Sequence, residues 1–126
     1  MDQTLLVSGE LSWEEFMQYK RALIVTEVKD NSGHEHDFIG TVGGEVIGRA
    51  ELLIDKEKNE AEFRIHLLPE WQSKGYGYEL TKFTVEKGLT YLNRIWLGFE
   101  EENYRAQKLY ESVGFKYTVH RMEIHA

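Results

Sequence analysis

The stretch Leu67-Leu68-Pro69-Glu70-Trp71-Gln72-Ser73-Lys74-Gly75-Tyr76-Gly77 interrupts an apolar strand pattern at the chain's single proline and restarts, after two glycines, as a long helical pattern. Such a strand-to-helix turn is suited to holding an anion. Glycine removes the Cβ atoms that would keep a ligand from the backbone, and the first helical turn leaves about four N–H groups without internal partners. With the positive end of the helix dipole these donors form a phosphate cradle. Glycine pairs also serve as plain turn punctuation, so the surrounding chain has to decide between the two.

Before the turn, Ala61, Phe63, Ile65 and Leu67 alternate with Glu60, Glu62, Arg64 and His66, a period of two that predicts a strand with one apolar face. Upstream, Phe38 to Val42 and Val46 to Ile54 flank Gly43-Gly44, a two-residue hairpin signal, and Asp55 to Asn59 makes a polar turn. Three antiparallel strands in a meander are therefore expected, unlike a dinucleotide fold, where the glycines follow the first strand of a βαβ unit. The β-branched run Ile24 to Val28 fits either a strand or an extended connector. Ser12-Trp13-Glu14-Glu15 matches a capping box for a short helix to about Ala22, with Trp13, Phe16, Met17 and Tyr19 as its apolar surface. Leu5-Leu6-Val7 is a candidate first strand.

After Gly77 the pattern is helical to about Leu92, with Leu80, Phe83, Val85 and Leu89 spread over a broad arc. Arg94 to Phe99 reads as a central strand covered on both faces, and strand, helix, strand at this spacing predicts a parallel crossover. Asn103 then caps a helix whose Ala106, Leu109, Tyr110 and Val113 share a face, with Glu100 to Glu102 at its positive end and Gly114 as its left-handed stop. Lys116 to His125 closes the chain as one long strand or two short ones.

The 126 residues fit one α+β (mixed α/β) domain, an antiparallel meander followed by β-α-β-α-β around a central mixed sheet. A formal charge of −7 disfavours nucleic acid and acidic membrane surfaces and suits a cationic or neutral partner. The absence of cysteine excludes a disulfide framework, a thiolate metal site and a cysteine nucleophile. His34-x-His36 has chelating spacing but lies beside a polar turn, which favours solvated histidines, and no metal is expected. No apolar run approaches the roughly 18 residues of a membrane span and no signal peptide opens the chain, so a cytoplasmic protein is expected.

Two motifs stand at a defined distance: Gln72-x-x-Gly75-x-Gly77, and Asn103-x-x-Ala106-x-x-Leu109-Tyr110-x-x-x-Gly114-Phe115. Together they resemble the GNAT superfamily of acetyl-CoA-dependent N-acetyltransferases, over roughly residues 38 to 118. The resemblance implies acetyl-CoA as cosubstrate. Main-chain groups of Gln72, Ser73, Lys74, Gly75, Tyr76 and Gly77 would hold its pyrophosphate. The strand end from Ile65 to Leu67 would pair with the pantetheine arm, Asn103 would lie near that arm, and Ala106 and Leu109 would pack beneath it. Tyr110 would protonate the leaving thiolate, since a tyrosine with an ordinary pKa of about 10 stays protonated at neutral pH. Without the motif Tyr110 would be read as a core tyrosine.

The base is open between Glu62, Glu60, His66 and ordered water, because the position that carries a catalytic glutamate in some members is Ala61 here. The implied acceptor is a primary amine, on a small cationic molecule such as a polyamine or aminoglycoside, or on a lysine or N-terminus. Family members commonly place two helices between their first two strands, and this chain offers one short helix. Its acceptor pocket would then be open or completed by a homodimer partner, and a catalytically silent acyl-CoA-binding module is the alternative.

Overall fold

The computed structural model describes residues 12–126, so the candidate strand Leu5-Leu6-Val7 lies outside the described residues. Helix α1 (Trp13–Arg21) leads into strand β1 (Leu23–Lys29), followed by β2 (Glu35–Val42), β3 (Glu45–Asp55) and β4 (Glu60–Leu67). A single 3₁₀ turn over Pro69–Trp71 precedes α2 (Tyr76–Gly88), then β5 (Arg94–Leu97), α3 (Tyr104–Val113), β6 (Lys116–Tyr117) and β7 (Met122–His125). The strands form one mixed sheet in the order β1-β2-β3-β4-β5-β7-β6, with β4 and β5 parallel and every other neighbouring pair antiparallel.

The ambiguous run Ile24 to Val28 is thus a strand, and the antiparallel part of the sheet has four strands rather than three. β1 pairs with β2 along its whole length through the turn at residues 30–34. That turn is closed by Asp30, whose carboxylate accepts from the N–H groups of Gly33 (3.0 Å) and Glu35 (3.1 Å). At the β2–β3 hairpin Gly43 and Gly44 both have positive φ (59° and 83°), the geometry that matches the right-handed twist of the flanking strands.

Both α2 and α3 cover the same face of the sheet. Phe38, Ala50, Leu52, Phe63, Ile95, Leu97 and Met122, each at most 3% exposed, form the core beneath them. Gly88 lets α2 approach closely, since a Cβ there would stand 2.8 Å from side-chain carbons of both Ile95 and Leu52. α2 stops at Gly88 instead of Leu92, and Phe83 is 40% exposed because the helix is buried along Leu80, Thr81, Thr84 and Val85. β5 is shorter than expected and buried on one face. Ile95 and Leu97 enter the core, while Trp96 faces the other side with the Arg121 guanidinium 4.6 Å from its ring centre.

α1 is capped as expected, the Glu15 N–H donating to Ser12 Oγ (3.1 Å). Its expected apolar surface is only partly used, because Trp13 is 73% exposed and Met17 half-buried. The side chains of Phe16 and Tyr19 lie outside the described set. The chain closes with two short strands, not one long one.

His36 is the clearest departure from the sequence reading, for it is 1% exposed rather than solvated. It sits on the core face of β2, with Nε2 2.9 Å from a Glu27 carboxylate oxygen and Nδ1 2.6 Å from the Tyr91 hydroxyl. A carboxylate only accepts, so Nε2 carries the proton and Nδ1 accepts from Tyr91. Burial, aided by the Lys29 charge, holds the His36 pKa below its ordinary value. Lys87 completes the network 3.7 Å from Glu27.

Candidate active site

A cleft of about 570 Å³ opens where the sheet parts. β4 and β5 pair only from Glu60 to Glu62 with Arg94 to Trp96, and β4 then runs on to Leu67 without a β5 partner. The end of β4 forms one wall, α2 and the turn before it the second, and α3 the third. Of the residues expected from the sequence, Ile65, Leu67, Gln72, Ser73, Gly75, Gly77, Asn103 and Tyr110 line this space, with Ala106 and Leu109 between them.

The turn supplies donors. Trp71 and Gln72 donate to Leu68 and Pro69 carbonyls, and the next paired amide is Glu79, which donates to Gly75 (3.2 Å). Among the described residues the N–H groups of Ser73 through Tyr78 have no hydrogen-bond partner, so six consecutive donors are left for a ligand. Gly75 has φ of 91°, and nothing lies within 4 Å of where its Cβ would stand. The protein therefore leaves space at Gly75 that an approaching pyrophosphate would fill, which is the fit a CoA cradle requires. Ser73 is also left-handed at φ 66°, an uncommon setting for a non-glycine residue that bends the loop around the same space. Gln72 is more than a loop residue, its Nε2 donating to the Leu67 carbonyl (3.1 Å) and tying the turn to the strand end.

Two expected residues of the turn point elsewhere. The Tyr76 ring packs edge-on against Trp71, and its hydroxyl donates to the Arg21 carbonyl at the end of α1 (2.7 Å). The Lys74 ammonium lies 5.4 Å from the Trp71 ring centre. Among the described residues both leave their main-chain N–H groups unpaired, and neither side chain lines the cleft.

α3 is positioned at both ends. Asn103 Oδ1 accepts from the Ala106 N–H (3.2 Å), and after the helix Gly114 and Phe115 both donate to the Tyr110 carbonyl (3.2 and 3.0 Å). Buried Gln107 donates to the Glu100 and Glu101 carbonyls (2.7 and 3.2 Å), so the acidic run is strapped to α3 through its backbone. These contacts turn Tyr110 inward, edge-on to Phe63 and Phe115 with ring centres 6.2 and 5.9 Å apart. Burial raises the Tyr110 pKa above its usual 10.0, and its hydroxyl has no hydrogen-bond partner among the described residues.

Glu62 lies on the opposite face of β4, at the last paired position before the strands part. Its carboxylate is gripped by Arg64, both contacts at 3.2 Å, and it borders a separate depression with Glu60 and Trp96. Glu60 is tied to Arg94 (3.4 Å), and His66 is exposed. This face also holds Glu35, Asp37 and Glu51, whose carboxylate oxygens lie within 4.8 Å of one another, and none of them lines the cleft. Asp37 pushes the Glu35 pKa up by sharing a hydrogen bond and by like charge. Sequence reasoning missed Tyr78, Thr81, Arg105 and Ser112 as cleft residues; only helical spacing from Gly77 and Asn103 could have pointed to them.

The model of the acetyltransferase (GNAT) family matches residues 7–115. The chain belongs to the GNAT acetyltransferase family. Among relatives, spermidine N(1)-acetyltransferase of Escherichia coli K12 is 31% identical over 103 residues, covering 77% of this chain and 55% of that protein. The Vibrio cholerae spermidine N(1)-acetyltransferase is 37% identical over 81 residues, 62% of this chain and 47% of its own. This GNAT chain thus spans about half the length of the curated relatives it matches. The V. cholerae spermidine N-acetyltransferase solved with CoA and spermine has a TM-score of 0.70 at 28% identity, covering 75% of this chain and 68% of that one. A dodecameric form of that enzyme matches with a TM-score of 0.67 at 30% identity, over 76% and 66% of the two chains.

Proposed function

We propose that this chain is an acetyl-CoA-dependent N-acetyltransferase acting on a small cationic primary amine, with polyamines the favoured class. The observation that carries the donor half is the run of unpartnered N–H groups from Ser73 to Tyr78 at the mouth of the cleft. These groups bind the pyrophosphate, and the unpaired edge of β4 from Ile65 to Leu67 receives the arm. Acetyl-CoA supplies an activated acyl group on a thiol leaving group. Tyr110 donates a proton to the departing thiolate sulfur as the C–S bond breaks, a role supported by a burial-raised pKa that keeps the phenol protonated. The Leu68 N–H is committed to the Ile47 carbonyl (2.9 Å), so an oxyanion donor near this strand end has to be another amide.

The base acts from the other side of β4. Glu62, at the vertex of the parted strands and oriented by Arg64, takes the amine proton directly or through water. A cationic acceptor is supported by the formal charge of −7, by the carboxylates on the open face, and by the similarity to spermidine acetyltransferases. A homo-oligomer would cover that open face, and the cytoplasm is the compartment that supplies both substrates.

Thiol release from acetyl-CoA in the presence of an amine panel tests the assignment. Amine-dependent release, strongest with spermidine or spermine, is expected. One observation favours a silent acyl-CoA-binding module instead: β1 and β2 are joined by a five-residue turn at 30–34, and that connection holds no helix that could wall an acceptor pocket. Tight acetyl-CoA binding with no turnover on any amine would establish that reading.

A further inference from the structure

α2 carries two threonines that are both 0% exposed and differ in one respect. The Thr84 hydroxyl donates to the Leu80 carbonyl (2.8 Å), the ordinary bond of a helical threonine to the residue four before it. Among the described residues the Thr81 hydroxyl has no partner. It is sealed from water as well, and its residue forms part of the cleft wall beside Leu67, Ala106, Leu109 and Tyr110. Of the buried side-chain atoms left unpaired among the described residues, only Thr81 Oγ1 belongs to a residue lining the cleft.

A buried hydroxyl without a partner costs folding free energy that an isosteric valine would avoid. Apart from the Tyr110 hydroxyl, the neighbouring wall formed by Ile65, Leu67, Ala106 and Leu109 is apolar. Thr81 lies one helical turn past Gly77, about 6 Å further along the axis than the pyrophosphate cradle. With the pyrophosphate on the cradle, the part of CoA within reach at that depth would be the pantetheine arm, which carries two amides. A helical threonine divides between two χ1 rotamers, so a turn about χ1 can re-aim Oγ1 without disturbing the helix backbone.

We propose that Thr81 is a cosubstrate-binding residue whose hydroxyl hydrogen-bonds an amide of the pantetheine arm. This rests on the assignment of the cleft to acetyl-CoA, and adds a side-chain hydrogen bond to the main-chain ones proposed for the pyrophosphate and the arm. The orphan hydroxyl makes the empty protein less stable than it need be, and the arm satisfies it. Removing the hydroxyl should therefore move stability and affinity in opposite directions.

The test uses the full chain, with CoA and with 3′-phospho-ADP, which keeps the pyrophosphate and lacks the arm. Thr81→Val should weaken CoA binding about 10-fold by calorimetry, leave 3′-phospho-ADP binding within about 2-fold, and melt no lower than wild type without ligand. Thr81→Ser, which keeps the hydroxyl, should restore CoA affinity; Thr81→Ala replaces valine if valine does not fit. Unchanged CoA affinity in the hydroxyl-free variant, or equal loss for both ligands, overturns the proposal while leaving the CoA site in place. Failure of wild type to bind CoA overturns both.

Discussion

The two faces of β4 are built from the same eight residues and do opposite things. On the helix-covered side Ala61, Phe63, Ile65 and Leu67 run from the core into the cleft, so the strand passes without a break from packing to ligand wall. On the other side Glu60, Glu62 and Arg64 are each tied to a neighbouring charge, and no helix among the described residues lies over them. Under the proposed function the donor half of the site would be enclosed by local geometry within one chain. The acceptor half would be an open surface whose specificity would depend on charges or on a second subunit.

Substitutions that separate the two faces should rank accordingly. The largest effect is expected at Gly75→Glu, which puts a carboxylate where the pyrophosphate would lie. CoA should no longer raise the melting temperature, an affinity loss of more than about 100-fold, with only about 1–2 kcal/mol of strain from the left-handed backbone. Retained stabilisation by CoA would remove the turn from the donor site. Tyr110→Phe comes next. It should lower kcat about 100-fold or more while acetyl-CoA affinity stays within about 3-fold, as for loss of a proton donor. Because burial raises the Tyr110 pKa, its deprotonation should limit the wild-type rate only above pH 10. A parallel fall in affinity would make Tyr110 structural.

Glu62→Gln probes the open face and should lower kcat about 10-fold. An unchanged rate at all pH values would assign the proton to water alone. The smallest effect is expected far from either face, at His36. Its folded pKa is depressed, so the unfolded chain binds the extra proton and stability is lost as pH falls below about 6.5. Melting curves between about pH 7.5 and 5 should show a steeper loss for wild type than for His36→Gln; equal slopes would mean that His36 does not titrate on unfolding.

The same division explains what could be read from the chain. The cradle and α3 were legible because their signals are local: glycines at 75 and 77, a cap at Asn103, a stop at Gly114. The parallel crossover followed from spacing alone. β1 was ambiguous because its strand state depends on pairing with β2, and of its residues only Leu23 and Val25 are even half-buried. His36 was misplaced for a related reason, as its partners Glu27 and Tyr91 come from β1 and from the loop after α2 and meet it only in the folded sheet. Thr81 gave no signal, since a threonine that bonds its own helix and one that does not look alike in sequence.

The central claim, that the turn from Pro69 to Gly77 and the parted strands form an acyl-CoA site, is tested most directly by calorimetric titration of the wild-type chain with CoA. Saturable one-to-one binding, competed by acetyl-CoA, is predicted. An absence of binding heat, with no CoA-induced rise in melting temperature, would contradict it.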